Sequence, residues 1–386
     1  MKLLEHSPPS TRDPQPPCPE VIIPEARKRG RRRRLWIGIV VALALAAAGA
    51  VGGVIGNGGF QVHTPVRPSG PHDGAVSSSH LYTVTNPMAW TGFGLVTASP
   101  RALYALGGDT SLLRVQIDPL AVTAKTSLSG FPASPFDVNV AAFGLGALWA
   151  AAGDLVRLNP KTLTVAARFT LPEPALVAIV AGGTLWVGTP TSLLAVDPVT
   201  GAVVRSDPLG YRPAALAVSP DGRTLYVLGD RQGTANPAAV LSSFNSASGT
   251  RLAERTLGAW SAVNGLAAAK GGAWVSLMIV NHKTPTATIT LYKGTSLARG
   301  AKIHLPTKAA ATVAYVANHV LWFIDGRGTT KTKCASPTSG RTRATGSAGV
   351  TSEGGAMLTV SGHAFLLAPG VPRRLLEIQA TSVCAS

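Results

Sequence analysis

Seven of the chain's eight histidines are candidates for metal binding or acid–base chemistry, and they are His63, His72, His80, His282, His304, His319 and His363. None has the His-Glu-x-x-His spacing that directs two imidazoles at one metal ion. The sequence also lacks a Gly-x-Ser-x-Gly nucleophile elbow and a phosphate-binding Gly-x-x-x-x-Gly-Lys-Ser/Thr loop. Asp118, Asp197 and Asp221 fall in turn motifs and need no catalytic explanation. We therefore predict no metal, no cofactor and no catalytic residue.

A cluster of basic residues is the second candidate. Between Arg299 and Thr345 the sequence holds eight Lys or Arg residues and one acid, Asp325, a local charge of +7. An exposed cationic edge attracts anionic polymers or lipid headgroups through long-range steering, although an ordinary solvated surface explains the charge equally well. The residues we select as a candidate site for an anionic partner are Arg327, Lys331, Lys333, Arg341 and Arg343.

The elements that must position these residues begin with an uncharged run of 22 residues, Leu35 to Gly56. As a helix it would span about 33 Å, enough for a bilayer core of about 30 Å. Seven basic residues stand directly before it, and the next one is Arg67. Lys and Arg stay cytoplasmic, so we predict a single-pass bacterial membrane protein with its N-terminus inside and the remainder outside. A cleaved signal peptide is the alternative, but its apolar region is usually only about 7 to 15 residues long.

Composition divides the rest of the N-terminal region. Residues 1–34 contain seven prolines and an arginine cluster, which predicts a disordered cytoplasmic tail. Residues 57–79 are rich in Gly, Pro and Ser, which predicts a flexible stalk. The predicted domains are therefore a tail (1–34), a transmembrane helix (35–56), a stalk (57–79) and one folded domain (80–386).

The folded domain carries an internal repeat. Seven short segments, among them GTLW and RTLY, end in an aromatic residue, and successive aromatics are 37 to 48 residues apart. The repeating aromatics are Tyr104, Trp149, Trp186, Tyr226, Trp274, Trp322 and Phe365. This spacing matches the ~40 to 50 residues of a four-stranded propeller blade. A charged-residue content of only 14%, with 42 Gly and 29 Pro, also favours many short strands over a helical bundle.

A turn motif recurs in phase with the aromatics. The six turns are Asp118-Pro119, Asn159-Pro160, Asp197-Pro198, Asn245-Ser246, Lys293-Gly294 and Ser336-Pro337. Asp and Asn cap tight turns, Pro presets φ, and Gly supplies a positive φ, as a hairpin requires. Together the two motifs predict an all-β, seven-bladed β-propeller.

One repeat unit divides into four strands: Ala214 to Ser219, Thr224 to Gly229, Val240 to Phe244, and Arg251 to Thr256. The same division leaves residues 81–85 outside the first unit and leaves the last unit short of a fourth strand. We therefore predict that this N-terminal segment completes the seventh blade and closes the ring, which removes exposed sheet edges.

The recurring tryptophans have a structural explanation. Trp149, Trp186, Trp274 and Trp322 occupy the same strand of each unit, so we predict that they pack between neighbouring sheets. Stacking on sugars is the alternative, but a binding platform need not recur in every unit.

The segments SPDGRTLYVLGD, starting at Ser219, and GGTLWVGTPTSLLAVDPVTGAVV, starting at Gly182, resemble the YVTN and quinoprotein-like propeller repeats of bacterial surface proteins. The resemblance covers roughly residues 80 to 384 and implies fold rather than activity, because propellers host unrelated functions. Streptogramin lyases are similar at the repeat level, but their catalytic His, acid and Mg²⁺ site have no counterpart here. Quinoprotein dehydrogenases are similar in architecture, but their extended Trp-docking signature and acidic calcium ligands are not found.

The cysteines add one expectation. Cys334 and Cys384 fall in the predicted extracytoplasmic part, where a disulfide can persist, whereas Cys18 falls in the reducing cytoplasm. A Cys334–Cys384 bond would attach the chain end near the ring closure, provided that the two Cα atoms approach closely enough.

Function is predicted from these features together. We expect a membrane-anchored, non-catalytic binding or scaffold module at the bacterial cell surface, with an anionic cell-wall polymer or another envelope protein as its partner. Nucleic acid fits the net charge of +17 but not the predicted compartment. The alternative is an extracytoplasmic lyase or hydrolase with its site on the central face of the propeller.

Overall fold

The computed structural model describes residues 82–90, 94–107, 111–129, 140–231, 238–259, 262–281, 284–304, 314–317, 320–325, 331–347, 356–360, 363–368 and 373–380. All lie in the second of two compact units, Gly74–Ser386. In these ranges no helix is long and apolar enough to cross a membrane. The predicted tail, transmembrane helix and stalk lie outside them.

The described residues form 28 strands, numbered along the chain, in seven antiparallel four-stranded sheets. Sheet 1 is β2 (Gly94–Ser99), β3 (Ala102–Leu106), β4 (Leu112–Gln116) and β5 (Ala121–Thr126). Sheet 2 is β6 (Ala141–Gly144), β7 (Ala147–Ala152), β8 (Asp154–Leu158) and β9 (Val165–Phe169). Sheet 3 is β10 (Val177–Ala181), β11 (Thr184–Gly188), β12 (Ser192–Val196) and β13 (Val203–Pro208). Sheet 4 is β14 (Arg212–Val218), β15 (Thr224–Arg231), β16 (Ala238–Asn245) and β17 (Arg251–Ala259).

The C-terminal sheets follow the same order. Sheet 5 is β18 (Ala262–Ala269), β19 (Gly272–Asn281), β20 (Thr284–Lys293) and β21 (Ala298–His304). Sheet 6 is β22 (Ala314–Ala317), β23 (Val320–Asp325), β24 (Lys331–Ala335) and β25 (Thr342–Ser347). Sheet 7 is β26 (Ala356–Val360), β27 (His363–Ala368), β28 (Arg373–Ala380) and β1 (Tyr82–Trp90).

The N-terminal strand completes the last sheet. β1 pairs antiparallel with β28, from Tyr82 opposite Ala380 to Trp90 opposite Arg373, with one irregularity between Val84 and Asn86. The strand expected from residues 81–85 is thus present, and it is longer than the sequence indicated. It lies at the outer edge of sheet 7, three strands away in the pairing order from β26.

The first strands of the sheets contact one another in series. β2 contacts β6, and contacts continue through β10, β14, β18, β22 and β26, which contacts β2 again. The series therefore returns to its starting strand within the described residues. Contacts between neighbouring sheets are concentrated at these first strands, so the fourth strands lie farther apart.

Burial follows position in the sheet. β7, the second strand of sheet 2, is buried at all six positions, because both of its faces pack against neighbouring sheets. β13, the outermost strand of sheet 3, alternates between half-buried and exposed residues, as expected of a strand with one solvated face. The core therefore consists of layers between sheets, each formed by apolar side chains from two adjacent sheets.

The predicted turn at Asp197-Pro198 has the expected chemistry. Asp197 Oδ1 accepts hydrogen bonds from the backbone N–H groups of Val199 (2.9 Å) and Thr200 (2.7 Å). Gly201 adopts a φ of +73° and donates its N–H to the Asp197 carbonyl at 2.9 Å. The hydrogen bonds to the carboxylate, led by that from the Thr200 backbone, lower the pKa of Asp197. The turn thus depends on the ionised carboxylate.

Candidate functional site

The repeating aromatics bind the repeating turns of the next sheet. Tyr104 Oη donates a hydrogen bond to the carbonyl of Pro160 (2.9 Å), and Trp186 Nε1 donates one to the carbonyl of Ser246 (3.0 Å). Trp274 Nε1 likewise donates to the carbonyl of a later turn residue, at 2.7 Å. In each case the acceptor is the second residue of the turn motif one sheet further along. The two sequence motifs are in phase because they contact each other.

Packing accompanies these hydrogen bonds. Trp149, Trp186 and Trp274 are at most 1% exposed, and each packs with apolar residues of the following sheet. This confirms the predicted structural role of these three tryptophans. The fourth, Trp322, lies on β23, but its side chain is outside the described part of the structure.

Trp149 is an exception to the hydrogen-bonding pattern. Its Nε1 donates to the carbonyl of Gly144 in its own sheet at 3.1 Å. The side chain of Phe169 takes the place beside the next turn, since a Cβ added to Gly201 would collide with its ring. Phe169 also stacks on Trp149, with ring centroids 6.3 Å apart. Trp149 and Phe169 together therefore fill the position beside the next turn that a single aromatic side chain fills in sheets 1, 3 and 5.

An ion-paired network joins the outer parts of sheets 3 and 4. Arg205 Nε lies 2.7 Å from Asp207 Oδ2, and Arg205 also donates to the carbonyl of Ser248 in sheet 4's last turn. Glu254 accepts from Arg251 at 2.8 Å and Arg231 at 3.3 Å. Every carboxylate of this network is therefore paired, and the network holds two sheets together.

A buried phenol lies beside this network. Tyr211 is 3% exposed, and its hydroxyl has no hydrogen-bond partner within the described residues. Burial raises the pKa of Tyr211 well above its usual range, so the group stays neutral.

The five basic residues predicted as an anionic site lie on or near sheet 6. Lys331 and Lys333 are on β24, opposite Ser347 and Thr345 of the outermost strand β25. Arg343 is on β25, and Arg341 is exposed in the turn that precedes it. Arg327 lies outside the described residues. The structure therefore gathers four of the five positions on two neighbouring strands and the turn between them.

Cys334 is fully buried on β24 and forms a disulfide bond. The two other cysteines, Cys18 and Cys384, lie outside the described residues. Pairing of Cys334 with Cys384 thus remains a prediction.

The described residues contain no group of three or more His, Cys, Asp or Glu side chains that could hold a metal ion. His304 ends β21 and His363 begins β27. The other histidines lie outside the described ranges.

No protein-family model matches the chain, and no curated protein matches it by sequence. Solved structures do match it. They include BamB from Moraxella catarrhalis (10% identity, TM-score 0.51, 74% of this chain and 85% of that one). They also include BBS1N in complex with ARL6DN (14%, 0.56, 79% and 98%) and the Pan2 WD40 domain from Neurospora crassa (9%, 0.55, 79% and 97%).

These similar structures are β-propellers of the WD40 and BamB types. At 9 to 14% identity, the likeness shows the fold alone. The chain is accordingly an all-β protein of propeller architecture.

Proposed function

We propose that this chain is a single-pass bacterial membrane protein, N-terminus cytoplasmic, that presents a non-catalytic seven-bladed β-propeller outside the cell as a binding or scaffold module. The seven sheets are the proposed blades, and the cyclic series of contacts between their first strands supports a closed ring. The membrane anchor and the location rest on the uncharged run at 35–56 and the basic residues before it. Kinship with YVTN and quinoprotein-like repeats is part of the same proposal.

The observation that supports a binding function is the set of contacts that the repeating aromatic residues make between sheets. Trp186, Trp274 and Tyr104 direct their polar atoms at neighbouring sheets, so the recurring motif stabilises a frame. Exposed positions at the turns and outer strands are then free to differ from sheet to sheet. One structurally similar propeller, BBS1N, was solved in complex with ARL6DN, so a protein partner suits this architecture.

The partner we propose is anionic, either a cell-wall polymer or another envelope protein. Lys331, Lys333, Arg341 and Arg343 share the two outer strands of sheet 6 or the turn between them, and Arg341 is exposed. Such a grouping raises the local concentration of an anionic partner by electrostatic steering.

Two reporter fusions test the topology. Alkaline phosphatase folds only outside the bacterial cytoplasm, so alkaline phosphatase fused after Ser386 should be active. Green fluorescent protein fused at the same position should be exported and should not fluoresce. Fluorescence of the green fluorescent protein fusion, together with an inactive alkaline phosphatase fusion, would contradict the proposed location. Deleting residues 35–56 should release the chain from the membrane fraction.

Charge reversal tests the binding surface. The double variant Lys333→Glu, Arg341→Glu should lose partner cross-linking in intact cells. A charge-matched control with Lys161→Glu and Arg168→Glu on sheet 2 should retain it. Equal cross-linking by both variants would show that these sheet 6 residues do not form the binding surface.

A further inference from the structure

A second group of basic residues lies on the outer strands of sheets 4 and 5. Neighbouring sheets make their main contacts at the first strands, so β17 and β21 border a groove that opens outward. Arg255 projects into it from β17, because it pairs with Leu241, whose side chain packs toward sheet 5. Arg299 and Lys302 line the opposite wall on β21.

A β-bulge places both β21 cations on the same face. Arg299 lies opposite Tyr292 and Lys302 lies opposite Thr290, with the register shift between these pairs. Directly opposed residues share a face, and positions two apart in β20 also share it. Without the bulge, one of the two cations would point away from the groove. The two positions are about 7 Å apart along the strand, from a rise of about 3.4 Å per residue.

Arg255 is held in place before any ligand arrives. Its Nη1 donates a hydrogen bond to the carbonyl of Leu297 at 3.0 Å, and its guanidinium lies 5.9 Å from the centre of the Tyr292 ring. Arg255 remains exposed, so its remaining N–H groups can reach a ligand. A guanidinium fixed by stacking loses less side-chain entropy when it binds an anion.

Tyr292 forms the floor between the cations. It is 6% exposed, and both Arg299 and Arg255 lie close enough to lower the pKa of its hydroxyl. Burial is the larger influence and raises that pKa, so the phenol keeps its proton at neutral pH. It therefore adds no negative charge to the groove.

Two carboxylates of sheet 4 are engaged elsewhere. Glu254, adjacent to Arg255, projects from the other face of β17 and pairs with Arg231 and Arg251. Asp221 accepts hydrogen bonds from Ser219 Oγ (2.5 Å) and the Arg223 backbone (3.1 Å) within its own turn. The three groove cations have no ion pair with any described acid.

We propose that this groove binds consecutive phosphate groups of a linear phosphate polymer. Guanidinium groups bind phosphate through paired N–H donors, and Lys302 adds a point charge. Two cations in line, with a third across the groove, suit a chain of repeated charges better than one small ion. A flat bilayer surface would not enter a groove between two sheets. The proposal does not depend on the membrane anchor or on the sheet 6 surface.

Fluorescence anisotropy with labelled linear polyphosphate tests the site in the full-length chain, purified in zwitterionic detergent. The variant Arg299→Glu, Lys302→Glu should bind roughly 25-fold more weakly, because each lost cationic contact is a factor of about five. Arg255→Lys keeps the charge but loses the stacked guanidinium and its paired N–H donors, and should weaken binding roughly fivefold. Unchanged far-UV spectra establish that these variants fold.

The matched control is Lys161→Glu, Arg168→Glu, which changes the net charge equally on sheet 2 and keeps the basic N-terminal residues. It should bind within about twofold of the unmodified chain. Equal loss in both double variants would overturn the proposal in favour of non-specific attraction. Equal affinity for polyglutamate of the same charge, or groove-dependent binding to phosphatidylglycerol vesicles without binding to polyphosphate, would also overturn it.

Discussion

Gly340 is the most direct test of how the sheets are held together. It closes the last turn of sheet 6 with a φ of +69°, and a Cβ added there would lie 2.6 Å from Trp274 Cη2. The same tryptophan donates its Nε1–H to the carbonyl of Pro337 at 2.7 Å in that turn. Replacement of Gly340 by Ala therefore strains the backbone and displaces the Trp274 ring.

The two costs can be separated. A non-glycine residue at positive φ costs about 1 to 2 kcal/mol, and overpacking a closed site costs about 1 to 3 kcal/mol more. Gly222→Ala is the matched control, since Gly222 has a φ of +72° but its added Cβ would have nothing within 4 Å. With about 2.1 cal/mol/K per residue over roughly 300 residues, 1 kcal/mol lowers Tm by about 1.6 °C. We expect a fall of about 3 to 8 °C for Gly340→Ala and about 2 to 3 °C for Gly222→Ala.

Thermal unfolding followed by circular dichroism measures both variants. Adding Trp274→Phe to Gly340→Ala removes the colliding edge of the indole, so the two substitutions together should cost about 1 to 3 kcal/mol less than their sum. Equal Tm values for Gly340→Ala and Gly222→Ala, with additive effects in the double variant, would refute the close packing of Trp274 against the Gly340 turn.

Three further predictions concern single groups. Tyr211→Phe removes a buried, unpartnered hydroxyl and should raise the free energy of unfolding by up to about 1 kcal/mol. Tyr104→Phe breaks a good hydrogen bond and should lower the free energy of unfolding by about 1 kcal/mol. Urea titration measures both changes. The folded-state pKa of Asp197 is lowered, so its contribution is present above the unfolded pKa of about 4 and is lost as the pH falls through the folded value. Asp197→Asn should therefore lose less stability than the unmodified chain between about pH 5 and pH 2. Non-reducing peptide mapping should find Cys334 bonded to Cys384, and Cys334→Ser should cost about 2 to 4 kcal/mol.

The strands and turns were predictable from the sequence because their causes are local. Asp197 and Gly201 form a hairpin turn whatever surrounds them, and the predicted strand Thr224 to Gly229 falls within β15. The spacing of the aromatics predicted their burial, since a repeat places equivalent residues in equivalent environments. What each aromatic contacts depends on the neighbouring sheet, which the sequence of one unit does not specify.

The groove cations show the same limit. Arg299 and Lys302 belong to the basic segment that the sequence identified, but Arg255 lies some 40 residues earlier and was not selected. Only pairing register and sheet adjacency bring the three together. A bulge also decides which way Lys302 points, and bulges have no strong sequence signature. The one detectable signal was the absence of acids around Arg299 and Lys302.

Closure of the ring can be measured directly by engineered disulfide formation between its two ends. Thr83 and Gln379 are directly opposite in the β1–β28 pair, and directly opposed Cα atoms lie within disulfide range. Thr83→Cys with Gln379→Cys should form a bond detectable by peptide mapping and should raise Tm. Thr83→Cys with Ile378→Cys places the thiols on opposite faces and should not form one. Free thiols in the first pair, or an equal yield in both, would contradict closure by β1.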